Sequence, residues 1–409
     1  MSESVDYFGD DTAIFNDKEL LQVSHLPDGD RIIGREDELR RLGTALRPAL
    51  NGNTPNNIFL YGKTGTGKSL CTKFISRQMM QRAGRNDVNA GFAYIDCLQD
   101  STETQVVQSI AAQLNDEERS GTTIPEQGIS TSMYYNRLWT VLESMYDVAI
   151  IILDEVDKLE GIGDKSGDTA GDNLLMNLSR ANEAGKIDDC NLGVIGISNK
   201  IRYKDELNER VKSSLCERDY VFPPYDATQL REILESRRDA FVDGVLETDV
   251  IPKVAALAAR EHGDARKAID VLRFAGEVAE EERESVVRDE HVDVAQDREG
   301  ANRISELISK QPPHARYVLL ALASQVQQSN EEDPEIPNKV VQHSYRQICE
   351  QMDSEPLKER RVRDLLTELE FLDLIKQDQR GRGRGKGKHT VNSLYDEPKL
   401  VIQACQNDF

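Results

Sequence analysis

The feature that most constrains this chain is a glycine-rich stretch near residue 65 that fits the spacing of a phosphate-binding loop (P-loop). Its residues are Gly62, Lys63, Thr64, Gly65, Thr66, Gly67, Lys68 and Ser69. They match a glycine, four further residues and then Gly-Lys-Ser. The apolar run 57–61 precedes the loop, and a helix-compatible run follows it from Leu70. Because a strand, a glycine loop and a helix form the context in which such loops bind phosphate, we predict a nucleotide site.

The chemistry expected at this loop follows from its residue types. Glycines let backbone N–H groups turn inward around phosphates, because no Cβ stands in the way. The start of the following helix adds unpaired N–H groups and the positive end of its dipole. We expect Lys68 to reach the β- and γ-phosphates and the Ser69 hydroxyl to bind Mg²⁺, with Leu70 completing the loop. The predicted cofactors are therefore ATP or ADP and Mg²⁺. A chance glycine loop is the alternative, and the flanking runs disfavour it.

An acidic pair at the end of another apolar run supplies the second part of the predicted site. The run 148–153 is continuously apolar, which is typical of a strand buried on both faces of a parallel sheet. Asp154 and Glu155 follow it directly, at the strand end where open α/β sheets bind ligands. We expect Asp154 to hold Mg²⁺ and Glu155 to polarise the attacking water. The alternative is a helix N-terminus, where acidic side chains are favoured anyway.

The composition limits which classes of protein this chain can belong to. The chain has 409 residues and a net charge of −22, enough for two or three domains. Such acidity argues against a generally basic coat for nucleic acid and fits a surface adapted to very high cytoplasmic salt. No apolar stretch approaches the roughly 20 residues of a membrane helix. The acidic N-terminus is unlike a secretion signal, and the scattered cysteines fit a reducing compartment. We expect a cytoplasmic protein with no membrane partner.

The order of apolar runs predicts an α/β P-loop domain with a five-stranded parallel sheet, followed by a helical lid. The predicted strands are 58–61, 92–97, 148–153, 192–197 and 220–222, and the predicted loops are 113–131 and 160–173. From Asp226 to about Gln296 the pattern is helical. Gly263 is suited to end one lid helix and Asp264 to cap the next.

The C-terminal third shows the pattern of a winged helix-turn-helix. Helices are predicted at 317–327, 345–352 and 357–369, and two short strands flank the glycine-rich segment 380–388. Basic side chains in this region that we expect to contact duplex DNA are Lys358, Arg360, Arg361, Arg363, Arg380, Arg382, Arg384, Lys386 and Lys388. The helix is suited to the major groove and the wing to the backbone or minor groove. The alternative is a solvated hairpin beside a salt-bridged helix. The predicted domains are 1–225, 226–300 and 301–409.

Taken together, these motifs resemble one family of AAA+ ATPases. The chain is similar to the archaeal replication initiators related to the origin recognition complex and the cell-division-control helicase loader. The resemblance covers nearly the whole chain and rests on the wing and on segments 61–69, 153–157, 194–199, 210–215, 222–225 and 263–266.

The resemblance implies roles for further residues. Asn199 matches sensor 1, which orients the hydrolytic water, and Arg266 matches sensor 2, which reaches the γ-phosphate from the lid. Arg210 matches an arginine finger offered to a neighbour's nucleotide, and a structural ion pair is the alternative. Ile32, Ile33 and Arg35 lie where the family packs adenine, and an ordinary position in the hydrophobic core is the alternative. Tyr225 is a further residue expected to bind the nucleotide. The insertion 98–135 matches a segment that touches DNA in the family, although it carries little positive charge.

The function implied by the resemblance is an ATP-dependent replication initiator with slow, regulatory hydrolysis. Its implied partners are double-stranded origin DNA, the replicative helicase and other copies of itself on DNA, within the nucleoid. One alternative is a nucleotide-sensing transcription regulator, which would not need Glu155, Asn199 or an arginine finger. Another is a transposition or clamp-loading ATPase, which the wing and the lid motif disfavour.

Overall fold

The computed structural model describes residues 14–22, 29–159, 169–200, 203–215, 218–329, 331, 334–372, 374–381 and 388–406. The chain divides into two compact units, Met1–Val292 and Asp293–Phe409. Each unit is built around its own sheet.

The first unit contains five strands whose neighbours are all parallel, which confirms the predicted sheet. The strands are β1 Ile58–Tyr61, β2 Ala90–Asp96, β3 Val148–Asp154, β4 Asn191–Ser198 and β5 Arg218–Val221, in the order β2-β3-β4-β1-β5. Every residue of β3 is buried, because β3 has a strand on each side and helices over both faces. This position explains its unbroken apolar sequence.

Helices pack on both faces of this sheet. They are α1 Glu36–Leu46, α2 Lys68–Gly84, α3 Glu103–Leu114, α4 Glu117–Ser120, α5 Thr131–Met145, α6 Ala170–Ser179, α7 Tyr203–Glu206 and α8 Glu209–Leu215. One buried cluster joins the sheet to α3, α5 and α6, and the other joins it to α1 and α2. Alternation along β3 divides its residues between them, since Ile151 enters the first cluster while Ile150 and Ile152 enter the second.

Two predicted loops are partly helical. The short helix α4 lies inside 113–131, and α6 begins at Ala170, inside 160–173. Residues 160–168 lie outside the described part. Thr169 and Asp172 form a reciprocal capping box at the start of α6. Threonine and aspartate in this arrangement start a helix, whereas their composition alone indicates a loop.

The lid follows the sheet within the same unit. Its helices are α9 Ala227–Glu235, α10 Val250–Arg260 and α11 Ala265–Glu281. The Asp264 side chain accepts a hydrogen bond from the Lys267 N–H and caps α11, as predicted. The N-terminal segment 14–22 is attached to the lid, because Asn16 N–H donates to the Ala240 carbonyl at 2.8 Å and Val242 N–H to the Ile14 carbonyl at 3.0 Å.

The second unit has the winged-helix order that the sequence predicts. After α12 Asp289–Ser309, which spans the division between the units, come α13 Pro313–Gln328, β6 Ile336–Pro337, α14 Asn338–Gln351, α15 Glu359–Phe371, β7 Ile375–Gly381, β8 Lys388–Leu394 and α16 Pro398–Gln406. The three strands form an antiparallel sheet in the order β6-β8-β7. The sequence did not predict β6 or α16, although Val401 and Cys405 of α16 are buried in the core of this unit.

Candidate nucleotide site and DNA-binding surface

The P-loop lies between β1 and α2, and the lid closes directly over it. The Ala265 N–H at the start of α11 donates to the Gly65 carbonyl at 3.2 Å. Gly65 has φ +70°, and a Cβ there would lie 1.7 Å from Asp264 Oδ1. Only glycine fits this contact, because any side chain would displace the cap of the lid helix. Gly67, with φ +85°, begins α2 as its N-cap.

Lys68 points back over the loop. Its Nζ donates to the Gly62 carbonyl at 2.8 Å, to the Lys63 carbonyl at 2.7 Å and to Asn199 Oδ1 at 3.0 Å. The side chain is 5% exposed. Burial lowers the pKa of the Lys68 ammonium to about 8, and the charges of Asp154 and Glu155 oppose this shift only partly. The ammonium is therefore poised to gain from an added negative charge, such as a phosphate.

The Asp154 carboxylate accepts three hydrogen bonds at the end of β3. The Ser69 and Tyr94 hydroxyls both donate to Oδ2, and the Glu155 N–H donates to Oδ1 at 2.9 Å. When the Ser69 proton is directed to Asp154, the lone pairs of its oxygen remain available for a cation. A hydroxyl and a carboxylate beside a phosphate-binding loop fit Mg²⁺, which binds oxygen ligands from one or two carboxylates and from phosphates. Ser69 and Asp154 are thus adjacent, as the sequence predicts for a metal pair.

Glu155 and Asn199 meet at the same edge of the sheet. Asn199 Nδ2 donates to Glu155 Oε1 at 3.3 Å, while Asn199 Oδ1 accepts from Lys68. Glu155 has φ +51°, an uncommon conformation for a residue with a side chain. Burial, and then the neighbouring charge of Asp154, raise the pKa of its carboxyl. A carboxylate with a raised pKa is better suited to withdraw a proton from water.

Arg266 and Arg210 differ in their relation to this cluster. Arg266 is exposed on α11, and its positive charge contributes to lowering the pKa of Lys68. Arg210 is exposed on α8. Among the described residues, the Arg210 guanidinium makes no ion pair.

Of the residues predicted to contact the adenine base, Arg35 and Tyr225 lie beside the P-loop. Ile32 is buried and Ile33 half-buried. Arg35 is 1% exposed, and its guanidinium donates to the Thr66 carbonyl at 2.9 Å and to the Pro223 carbonyl at 2.5 Å. It also lies 3.8 Å from the ring centre of Tyr225. Arg35 therefore connects the P-loop to the start of the lid, because its donors are directed to the protein.

The exposed predicted loop residues are Lys63 and Thr64, whereas Ser69 and Leu70 are half-buried. Thr66 is buried, and its hydroxyl donates to the Lys63 carbonyl at 2.8 Å.

In the second unit, the predicted basic side chains of α15 are exposed, but several have acidic neighbours. Arg361 donates to Glu368 at 2.9 Å, and Arg363 lies 3.6 Å from Glu359. Lys358 and Arg360 have no ion pair among the described residues. The turn before α15 is fixed from the core, because the Leu357 N–H donates to the Tyr345 hydroxyl at 3.0 Å.

The wing begins with a paired arginine. Both ends of the Arg380 guanidinium donate to the Glu335 carboxylate, which sequence reasoning did not foresee. Arg382, Arg384 and Lys386 lie outside the described residues, as does the side chain of Lys388. Within 98–135, the insertion consists of α3, α4 and the start of α5, with Arg119 as its only basic residue.

No helix among the described residues is both long enough and apolar enough to span a membrane.

Comparison with protein families covers all three predicted parts. Residues 51–196 match an AAA domain, 231–297 match the Cdc6 AAA+ ATPase-type lid domain, and 306–404 match the CDC6 C-terminal winged helix domain.

Curated relatives are similar along most of the chain. ORC1-type DNA replication protein 4 of Halobacterium salinarum is 47% identical over 395 residues, which cover 97% of this chain and 93% of the relative. The ORC1-type DNA replication protein of Thermococcus onnurineus is 40% identical over 365 residues, covering 88% and 84%. Further similar proteins come from Haloarcula marismortui, and the halophilic sources fit the acidic composition.

Among solved structures, the Aeropyrum pernix ORC1 protein in complex with DNA matches with a TM-score of 0.82 and 37% identity, over 97% of each chain. The fold, the family matches and the identity over nearly the full length agree: the chain belongs to the ORC1-type (Cdc6) DNA replication proteins of the AAA+ ATPases.

Proposed function

We propose that this protein is an ATP-dependent replication initiator that binds duplex origin DNA. The observation that carries the proposal is the hydrogen-bonded chain Lys68–Asn199–Glu155, next to the Ser69–Asp154 pair. These side chains meet at one sheet edge, which supports the roles we propose for them: phosphate binding by Lys68, metal binding by Ser69 and Asp154, and activation of water by Glu155. Membership in the AAA+ family implies nucleotide binding, typically with Mg²⁺. The name of the ORC1-type relatives supports the replication role.

The residues of the site have different roles in the proposed hydrolysis. Ser69 and Asp154 would hold Mg²⁺, which would supply positive charge to neutralise the phosphates. Lys68 binds the β- and γ-phosphates. Glu155 accepts a hydrogen bond from the attacking water and withdraws its proton, while the Asn199 amide keeps the Glu155 carboxylate in position. We expect slow hydrolysis with a regulatory purpose.

The lid is the element through which the nucleotide acts. We assign Arg266 to the γ-phosphate, and the hydrogen bond from Ala265 to Gly65, which links α11 to the loop, supports this role. Loss of the γ-phosphate removes one interaction of Arg266, so ATP and ADP favour different lid angles. The base packs against Ile32, Ile33 and Tyr225. Arg210 is offered to the nucleotide of a neighbouring copy on DNA.

The DNA contacts belong to the C-terminal module. The exposed basic residues of α15 enter the major groove and the wing contacts the backbone or minor groove. The similar Aeropyrum pernix ORC1 protein is solved in complex with DNA, which supports DNA binding. We further propose domains at 1–225, 226–300 and 301–409, a nucleoid location, and recruitment of the replicative helicase by the DNA-bound protein.

Two variants test the nucleotide site. Lys68→Ala should lose ATP binding, whereas Glu155→Gln should retain it and lose hydrolysis, because the amide preserves shape without a basic oxygen. Equilibrium titration with ATP and single-turnover hydrolysis measure the two effects. Lys212→Ala, which removes a lysine paired with Glu209, is the control. Unchanged ATP affinity in Lys68→Ala would refute the site.

Genome-wide mapping of bound DNA tests the role in replication. An initiator should be enriched at origins, where replication begins, whereas a transcription regulator should be enriched at promoters. Enrichment at promoters alone would favour the transcription regulator.

A further inference from the structure

Tyr94 belongs to the cluster around Asp154, although no motif marks it. It lies on β2, whose residue Asp96 pairs with Asp154 at the ends of the two strands. Since alternate strand residues share a face, Tyr94, Asp96 and Asp154 lie on the same face of the sheet, with Tyr94 diagonal to Asp154. The Tyr94 hydroxyl reaches the strand end and donates to Asp154 Oδ2.

Helix α2 holds the ring of Tyr94 from the other side. The Lys73 Nζ lies 3.5 Å from the ring centre, and Lys73 is four residues after Ser69, on the same face of the helix. The ammonium and the ring attract each other, which limits the movement of the tyrosine.

We infer that Tyr94 is a positioning residue that fixes the Asp154 carboxylate for Mg²⁺ binding. This inference rests on the proposed nucleotide site. Two hydroxyls converge on Oδ2, and the Glu155 N–H binds Oδ1. These three donors hold the plane of the carboxylate, so that Ser69 presents its lone pairs in one direction. Tyr94 itself contacts neither phosphate nor metal in this arrangement.

The effect on metal affinity of losing a residue that orients a metal ligand has a typical magnitude. Removing groups that orient metal ligands typically weakens metal affinity by about 10–100-fold. Without the Tyr94 hydroxyl, Asp154 keeps the Ser69 contact but gains rotational freedom. The contribution of Mg²⁺ to ATP binding should therefore decrease, while the contacts of Lys68 and the loop with the phosphates should not change.

The experiment compares ATP affinity in EDTA with ATP affinity at saturating Mg²⁺, by calorimetric titration of the full chain. In Tyr94→Phe the ring and its contact with Lys73 remain. We expect the affinity in EDTA to stay within about twofold of wild type and the gain produced by Mg²⁺ to fall about tenfold. The control is Tyr146→Phe, which removes a hydroxyl that donates to the Leu114 carbonyl at 2.8 Å in the same unit. It should match wild type in both media.

The outcomes separate this inference from the proposed function. If wild type gains affinity with Mg²⁺ and Tyr94→Phe gains equally, the positioning role is refuted while the nucleotide site stands. If Tyr94→Phe also loses affinity in EDTA, the hydroxyl supports the loop as a whole, and the inference is again wrong. If wild type shows no Mg²⁺ effect at all, the proposed metal pair fails and the inference fails with it.

Discussion

The lowered pKa of Lys68 makes ATP binding dependent on pH in a range where lysines are ordinarily inert. The pKa falls from 10.5 to about 8 through burial. A shift of this size corresponds to roughly 3 kcal/mol of differential interaction between the two protonation states. The lowered pKa means that the folded state favours the neutral amine more than the unfolded state does. The resulting contribution to the free energy of unfolding is fully present above about pH 10.5 and is lost as the pH falls through about 8.

The pH dependence of nucleotide binding runs in the opposite direction to that of folding stability. Only the protonated Lys68 neutralises a phosphate, so affinity should fall as the pH rises through 8, by up to tenfold per pH unit. Between pH 7.5 and 9.5 the loss is about 25-fold for a pKa of about 8 in the free protein and an ordinary or higher one in the complex. With an unshifted pKa of 10.5, the loss over the same range would be about 1.1-fold. The two cases are readily distinguished.

The assay is calorimetric titration of ATP at intervals between pH 7.5 and 9.5, in at least two buffers of different ionisation enthalpy. Near pH 8.5, binding should take up roughly three-quarters of a proton, because about that share of Lys68 is neutral beforehand. Burial raises the pKa of the nearby Cys71 thiol to about 12, above this range.

Two variants isolate the contribution of Lys68. Lys68→Arg should bind ATP with little pH dependence, because guanidinium remains protonated throughout. Lys73→Arg is the matched control, since burial also lowers the pKa of Lys73. This variant should keep the wild-type slope. A wild-type affinity that changes less than twofold between pH 7.5 and 9.5, or an equal slope in Lys68→Arg, would refute the reasoning.

Two further predictions concern the lid and the wing. Gly65→Ala should weaken ATP binding and lower the free energy of unfolding by about 2 kcal/mol or more, since its Cβ would lie 1.7 Å from the carboxylate that caps the lid helix. The control is Gly52→Ala, where φ is similar but a Cβ would have nothing within 4 Å. A similar loss of ATP binding in Gly52→Ala would contradict the argument. Glu335→Gln should free Arg380 to bind a phosphate. The slope of the logarithm of the duplex DNA binding constant against the logarithm of salt concentration should then become steeper by about one. Glu331→Gln removes the same charge without breaking the pair with Arg380, so equal slopes in the two variants would refute a specific role of that pair.

The sequence predicted those parts of the site that depend on neighbouring residues in the chain. The loop 62–69 and the pair Asp154–Glu155 each combine a strand, its end and the functional side chains within a short segment. Strands β1, β3 and β4 were recognisable because parallel strands covered on both faces need continuous apolar runs. Strand β5 is mostly exposed and begins at Arg218, two residues before the predicted 220–222. The cap at Asp264 was recognisable for a similar reason, as a polar residue directly before an apolar helical pattern.

The features that the sequence did not reveal depend on contacts between distant segments. Tyr94 reaches Asp154 only because β2 and β3 are adjacent in a particular register, and nothing near Tyr94 in the chain indicates that register. The buried position of Arg35 depends likewise on carbonyl groups of Thr66 and Pro223, which come from two other segments.

The ion pairs of the DNA-binding module show the same limit, with a functional consequence. Arg380 and Glu335 are 45 residues apart in the chain and meet because β6 and β7 lie on either side of β8. Counting charges in segment 380–388 therefore overstates the positive charge available to DNA. An exposed pair of this kind contributes little to stability, typically below about 1 kcal/mol, so its main effect is on binding. If Arg380 contacts DNA as we propose, a phosphate would compete with Glu335 for it, and DNA sites that also match the module in shape would be favoured over purely electrostatic contacts.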